Sequence, residues 1–393
     1  MNTMLNYKMY VPTHTLFGTG ELNHLHTQPM PGHKALLVIS NGKATKANGY
    51  LSRTQEQLTM AGVDFVLFDQ IEPNPLNSTV MAGAAMAREK ECDFIVALGG
   101  GSCMDAAKAI AVVATNEGDY WDYIPCGTGK GKPIVNNPLP IVAITTTAGT
   151  GSETDSGCVI TNAETNEKTG FLHPSLYPVL AIVDPELMLT VPAKLTAYQG
   201  FDALFHSIEG YISNGANLMS DMYALTAIEN VSHSLARAIQ NGNDIEARTK
   251  VAFANTLSGT VMCVGLLTSE HSLEHAMSAY HQTLPHGAGL IMISKAFYTH
   301  FINQHVCDER FVQMAKTMGF KEAKEPMDFI KALTQLQADC GVDNLKMSDY
   351  GITPDEFEKF AINAKITMGF LFHCDREPLS NEDCIAIYAA SYQ

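Results

Sequence analysis

The chain has 393 residues, 46% of them hydrophobic and 17% charged, which is more than one ordinary core needs and points to two globular domains. Its 41 acidic against 25 basic side chains leave a net charge of −16, which argues against nucleic acid or an anionic membrane surface as a main partner. The nine cysteines form no CxxC pair, so neither a disulfide framework nor a zinc–thiolate knuckle is expected.

Residues 1–17 carry no basic region followed by a long apolar run, and no apolar stretch reaches the roughly 18 residues that span a bilayer. A cytoplasmic protein with reduced thiols and no membrane partner is the expectation. In chain order, residues 35–40 (ALLVIS) read as a buried strand and 48–61 as a helix. Residues 65–68 give the next strand, 72–75 a turn with two prolines, 80–90 an alanine-rich helix and 94–98 a third strand. A helix over 104–114, a strand over 141–145 and a fifth strand over 181–183 follow. Strands separated by helices of ~10–15 residues predict a parallel sheet with crossover helices.

After Pro185 the period turns helical, over 197–211, 220–240, 244–264, 269–280 and 288–300, and nearly everything to the end follows it. The expected organisation is an α/β Rossmann-like domain with a parallel sheet over 1–187 and an all-α domain over 188–393. Pro185 and Pro192 bracket the change.

Residues 94–110 (FIVALGGGSCMDAAKAI) run a buried strand into Gly99, Gly100, Gly101 and Ser102, then a helix. Glycines at that junction let backbone approach a ligand closely, and the amides and dipole of a helix start favour a pyrophosphate. Ser102 reads as the helix cap, with Asp105 at capping-box spacing. The full GxGxxG pattern and a Walker lysine are both missing, so a plain glycine turn stands beside the phosphate reading. The strand at 141–145 leads into a second loop of small residues, TTAGTGSE, at a position where α/β sheets bind ligands. Two such loops suit a dinucleotide better than a turn.

The helical half carries Asp202 and His206 four apart, which puts both on one helix face. His271 and His275 repeat the spacing, and His286 follows after Leu284-Pro285. Imidazoles with a carboxylate suit a borderline divalent ion such as Fe(II) or Zn(II). Among 14 histidines any single one is more often a surface or satisfied core residue; the grouping inside apolar helices tips the reading towards metal.

Four segments together, GGGSCMDAAKA, TTTAGTGSE, GFDALFHSIEGYIS and EHSLEHAMSAYHQTLPHGAGL, resemble the iron-containing (type III) alcohol dehydrogenases, a family that includes butanol, lactaldehyde and propanediol dehydrogenases. The resemblance runs from Phe17-Gly18-Thr19-Gly20 to about Ser391. It implies the dehydroquinate synthase-like fold and metal ligands at Asp202, His206, His271 and His286. It places His275 near the nicotinamide as a second histidine that is not a ligand. It further implies that Gly99, Gly100, Gly101 and Ser102 hold the pyrophosphate, while Asp105, Thr145, Thr146, Thr150 and Lys168 line the rest of the cofactor site. Gly157, Cys158 and Met262 fall at substrate-pocket positions by the same resemblance, and a homodimer or higher homo-oligomer is implied.

The expected chemistry is hydride transfer between NAD or NADP and a short aliphatic alcohol or diol, or its aldehyde, with Fe(II) or alternatively Zn(II) polarising the oxygen. His275 is the expected proton carrier. After the strand at 35–40 the chain reads Ser40-Asn41-Gly42-Lys43, with Asn41 a cofactor contact. The missing carboxylate and nearby Lys43 lean towards acceptance of a 2′-phosphate. A sugar-phosphate or dehydroquinate-type enzyme of the same fold would want a basic substrate pocket, and no such cluster is visible. A metal-dependent hydrolase or a metal-storing scaffold would leave both glycine loops unexplained.

Overall fold

The computed structural model describes residues 6–393; residues 1–5, and with them the start of the segment read for a leader, lie outside it. The chain divides between Thr190 and Val191 into two units, with residues 6–10 grouped with the second.

In the first unit the strands are β1 (His14–Phe17), β2 (Lys34–Ser40), β3 (Asp64–Ile71), β4 (Phe94–Gly99), β5 (Ile141–Thr145), β6 (Gly157–Asn162), β7 (Glu167–Leu172) and β8 (Leu180–Val183). Six of them form a wholly parallel sheet in the order β1-β8-β5-β4-β2-β3. Helices α1 (Ala44–Ala47), α2 (Tyr50–Met60), α3 (Asn77–Glu89) and α4 (Gly101–Thr115) lie between strands. Alternate strand residues feed two separate cores. Leu36, Val38, Ile95, Ala97 and Ala143 pack with α3 and α4, and Leu37, Ile39, Val96, Leu98 and Ile144 with α2. A sheet covered on both faces needs apolar residues on both, which is why its strands read as unbroken hydrophobic runs.

Strand order fixes where a ligand fits. From β2 the chain steps to β3 on one side, then returns to β4 on the other side of β2 and continues to β5. The strand order therefore reverses between β2 and β4, and the crevice beyond their carboxyl ends is the general binding position of such sheets. Ser40–Asn41 and Gly99–Ser102 both leave the sheet there. The antiparallel hairpin β6–β7, absent from the sequence reading, stands apart from the main sheet.

The second unit is helical: α5 (Ala193–Ile212), α6 (Leu218–Gln240), α7 (Ile245–Gly265), α8 (Glu270–Tyr280), α9 (His286–Asn303), α10 (Asp308–Thr317), α11 (Met327–Asp339), α12 (Phe357–Phe372) and α13 (Asn381–Ser391). Helix α5 begins four residues before its expected start because its first turn, Ala193 to Leu195, is exposed and shows no apolar period. From Thr196 onward it is buried on nearly every side, as befits the central helix of a bundle. Close approach on α5 depends on glycine: a Cβ at Gly200 would stand 2.3 Å from Leu235 of α6, and one at Gly210 would stand 2.1 Å from Val261 of α7. Among the described residues no single helix is long and apolar enough to cross a membrane.

Candidate active site

Strand β4 delivers Gly99 and Gly100 directly into α4, whose cap residue is Gly100 with no side-chain capping bond. This corrects the expectation that Ser102 caps the helix: the helix already starts at Gly101, and its first internal bonds come from the amides of Cys103 and Met104 to the Gly100 carbonyl. The amides of Gly101 and Ser102 precede those bonds and point out of the helix start, where an anion can take them up.

The glycines also serve a purpose that the sequence does not announce. A Cβ at Gly100 would lie 2.9 Å from the Thr147 side chain, and one at Gly101 would lie 2.4 Å from Thr150 Cγ2. The second loop rests on the first, and both residues must be glycine for it to do so. Gly99 and Thr145 are register partners, and the Thr146 amide donates to the Gly99 carbonyl at 3.0 Å. Thr145 is fully buried, with its hydroxyl donating to the Thr147 carbonyl at 2.8 Å; Thr146 and Thr150 are half-buried beside the glycine run.

Asp105 does not form a capping box. Its carboxylate accepts from Ser152 Oγ at 2.8 Å and from the Val159 amide at 2.9 Å, which ties α4 to the far end of the second loop. Burial pushes its pKa up to about 6, against the pull of Lys108. Lys108 itself went unnoticed in the sequence. It is fully buried, and its ammonium donates to Ser152 Oγ, the Asp155 carboxylate and carbonyl, and the Gly157 carbonyl at 2.7–3.0 Å. Asn41 is exposed at the β2 end, its amide bonded to the Ile71 carbonyl at 2.8 Å. Lys168 is buried in β7 opposite Thr161. Cys158 is buried in the first unit's core, with its thiol 3.2 Å from the Tyr120 hydroxyl.

In the second unit, α5 presents Asp202, His206 and Glu209 along one face, α8 presents His271, Glu274 and His275, and α9 opens with His286. The ligand atoms expected from the sequence meet. Asp202 Oδ1 lies 3.5 Å from each of His206 Nδ1, His271 Nε2 and His286 Nε2. Donors about 2.1 Å from an ion at tetrahedral corners stand about 3.4 Å apart, close to these carboxylate–imidazole distances, and one donor atom each of Asp202, His271 and His286 lies within 4.8 Å of the others. Asp202 Oδ1 and His271 Nε2 are buried with no hydrogen-bond partner among the described residues, as expected of atoms built to face an ion.

Electrostatics agree. Burial alone would raise the Asp202 carboxyl, but the His206 and His286 imidazoles hold it well below the usual carboxylate range. Burial disfavours a charged His271, yet Glu209 and Asp202 push its pKa up to about 10. Glu209 and Glu274, both missed in the sequence, bond the outer Nδ1 atoms of His271 and His286. Each lies three residues after a histidine (His206 and His271), a spacing that could have flagged them.

His275 is buried beside the cluster, its ring centroid 5.1 Å from that of His286, with Nδ1 2.6 Å from Met368 Sδ. Glu274, His275 and His286 also bring donor atoms together, but there Glu274 is engaged with His286 Nδ1. Helix α12 breaks its regular geometry at Met368 (φ −137°, ψ 36°), where the Met368 carbonyl accepts from Ser272 Oγ at 3.0 Å.

Comparison with known proteins places the chain in a family. The family model for iron-containing alcohol dehydrogenase matches residues 12–185, and that for the C-terminal part of the Fe-containing alcohol dehydrogenase family matches 196–392. The chain is 35% identical to a 1,3-propanediol dehydrogenase of Klebsiella pneumoniae over 91% of its own length and 92% of the relative's. It is 32% identical to an NAD-dependent methanol dehydrogenase of Bacillus methanolicus, covering 90% and 92% of the two chains. An archaeal halo-thermophilic alcohol dehydrogenase from a Red Sea brine pool superposes with a TM-score of 0.94 at 33% identity, covering 98% of this chain and 99% of that one. The chain therefore belongs to the iron-containing alcohol dehydrogenase family and is an oxidoreductase of that family's fold.

Proposed function

We propose that the chain is a metal-dependent alcohol dehydrogenase that passes hydride between NAD or NADP and a short aliphatic alcohol or diol, or its aldehyde. The observation that carries this reading is the convergence of Asp202 Oδ1 with three imidazole nitrogens, each at 3.5 Å. Asp202, His206, His271 and His286 would hold the ion, iron(II) by family and zinc as the alternative that an N/O donor set also accepts. Bound there, the ion supplies Lewis acidity towards the alcohol oxygen, and the nicotinamide supplies the hydride acceptor. The relatives' names, 1,3-propanediol and methanol dehydrogenase, favour a short alcohol or diol.

The protein's own residues do the rest. The Gly101 and Ser102 amides take the pyrophosphate at the helix start, with Gly99, Gly100 and Thr150 shaping the loop. Thr145 and Thr146 fix the second loop, Asp105 anchors its far end, and Lys168 would line the remainder of the cofactor site. Asn41 stands at the end of β2, at the switch point of the sheet. On β3, Asp69 is paired with Lys46 at 2.6 Å, which would lower its repulsion of a 2′-phosphate and supports acceptance of both cofactors. His275, next to the His286 ring, takes up the proton of the alcohol and passes it on. A cytoplasmic homo-oligomer belongs to the same reading on the strength of the sequence resemblance.

The test is anaerobic loading with Fe(II), followed by absorbance of NADH and NADPH with butanal, propanal and lactaldehyde. Oxidation that depends on aldehyde and is lost in His206→Ala is expected. Confirmed metal binding with no oxidation of either cofactor would refute the dehydrogenase reading. His275→Ala is expected to keep metal and cofactor binding while lowering turnover and changing its pH profile; unchanged turnover would remove the proton role.

A further inference from the structure

Glu209 and Glu274 are outside the ligand set proposed above, yet both are wholly buried. Interior carboxylates persist only when paired. Glu209 Oε1 pairs with His271 Nδ1, while its Oε2 accepts from the Thr268 amide at 3.0 Å and hydroxyl at 2.9 Å. Glu274 Oε2 pairs with His286 Nδ1. Room for Glu274 is made by Gly289, one turn after His286 on α9. A Cβ there would stand 2.7 Å from Glu274 Cγ and 2.8 Å from Oε1. The turn that presents the imidazole thus also leaves the gap through which its partner reaches it.

A neutral imidazole has one donor and one acceptor nitrogen. Where Nδ1–H is given to a carboxylate, Nε2 keeps its lone pair, and in His271 and His286 it is Nε2 that lies 3.5 Å from Asp202 Oδ1. Resting on the metal-holding reading, we infer that Glu209 and Glu274 are positioning residues that lock His271 and His286 as Nε2 ligands, and that Gly289 exists to admit Glu274. Loss of such a partner typically costs 10–100-fold in metal affinity with every ligand still present.

The experiment compares full-length wild type with Glu209→Gln, Glu274→Gln, Glu274→Leu and Gly289→Ala. Each is loaded anaerobically with Fe(II) and, separately, with Zn(II), and equilibrium competition with a chromophoric chelator of known affinity gives the metal affinity. Circular dichroism and urea unfolding of the metal-free proteins check the fold, and visible spectra of Co(II)-loaded samples report the ligand field. Metal affinity about 10–100-fold lower, with altered Co(II) bands in variants whose metal-free circular dichroism shows the fold retained, is expected. Gly289→Ala should behave like Glu274→Gln while keeping every polar group. Should Glu209→Gln fail to fold, the three α8–α9 variants carry the test. Folded variants that hold metal within twofold of wild type, while Asp202→Ala loses it, would overturn the positioning role alone. A wild type that holds neither ion would overturn the ligand assignment and this inference with it.

Discussion

Replacing Lys108 with methionine removes an ammonium that is wholly inside the first unit and keeps the side chain's approximate volume. Four acceptors lose their donor at once: Ser152 Oγ, the Asp155 carboxylate and carbonyl, and the Gly157 carbonyl. The Asp155 carboxylate, only 8% exposed, is left with the Gly157 amide at 2.7 Å. Breaking a buried pair from one side costs about 3–5 kcal/mol, because the remaining charge keeps its desolvation penalty. The pH dependence has a definite sign. Burial already raises the Asp155 carboxyl above 3.8, and Lys108 is the main group pulling it back. In Lys108→Met the folded value rises further, so the folded state holds the proton longer and stability falls as pH climbs above 3.8. Urea unfolding between pH 4 and 8 should show a deficit that grows with pH, and dinucleotide affinity should fall as the second loop loosens. Lys108→Met/Asp155→Asn should recover much of the loss, with a coupling above about 1 kcal/mol. A single-variant loss below about 1 kcal/mol, with no coupling to Asp155, would refute the reasoning.

Gly101→Val should weaken NADH binding at least about tenfold, a 1.4 kcal/mol effect, by displacing Thr150 and the loop that rests on the glycine. Fluorescence titration checks it, and an unchanged dissociation constant would contradict the packing account. Asp375, whose carboxylate accepts from the Ser269 amide at 3.0 Å, is pushed by burial to about 7. A folded value above the unfolded one gives stability that is present below pH 4 and lost as pH rises to 7. Asp375→Asn should therefore flatten the stability–pH curve in that window by up to about 1.4 kcal/mol per pH unit. Identical slopes in the two proteins would exclude it.

What the sequence revealed followed from burial. Strands covered on both faces must be apolar throughout, so β2, β4 and β5 were visible as runs, and the buried faces of α5 and α8 made Asp202, His206 and His271 stand out as polar residues in apolar helices. Where burial is partial, the pattern fades. The exposed first turn of α5 hid its start; the β6–β7 hairpin escaped for another reason, since β7 buries the polar residues Glu167, Lys168 and Thr169 where an apolar run would mark a strand. The cap at Gly100 was assigned to Ser102 because serine is the usual capping residue, and a turn held by tertiary packing needs no side-chain cap. Lys108, Glu209 and Glu274 were passed over for a different reason. A charged residue on a helix is ordinarily solvated, and only the folded chain shows that these three are sealed inside with specific partners.

The most direct test follows the hydride itself. Protein stripped of metal and protein reloaded with Fe(II) are each given propanal and NADH or NADPH deuterated at the transferring C4 position, and the propanol is analysed by mass spectrometry and NMR. The account predicts one deuterium at C1 of the alcohol, formed only by the metal-loaded protein and lost in His206→Ala. Deuterium transfer that proceeds equally well without metal, or none at all from a protein shown to hold both metal and cofactor, would contradict it.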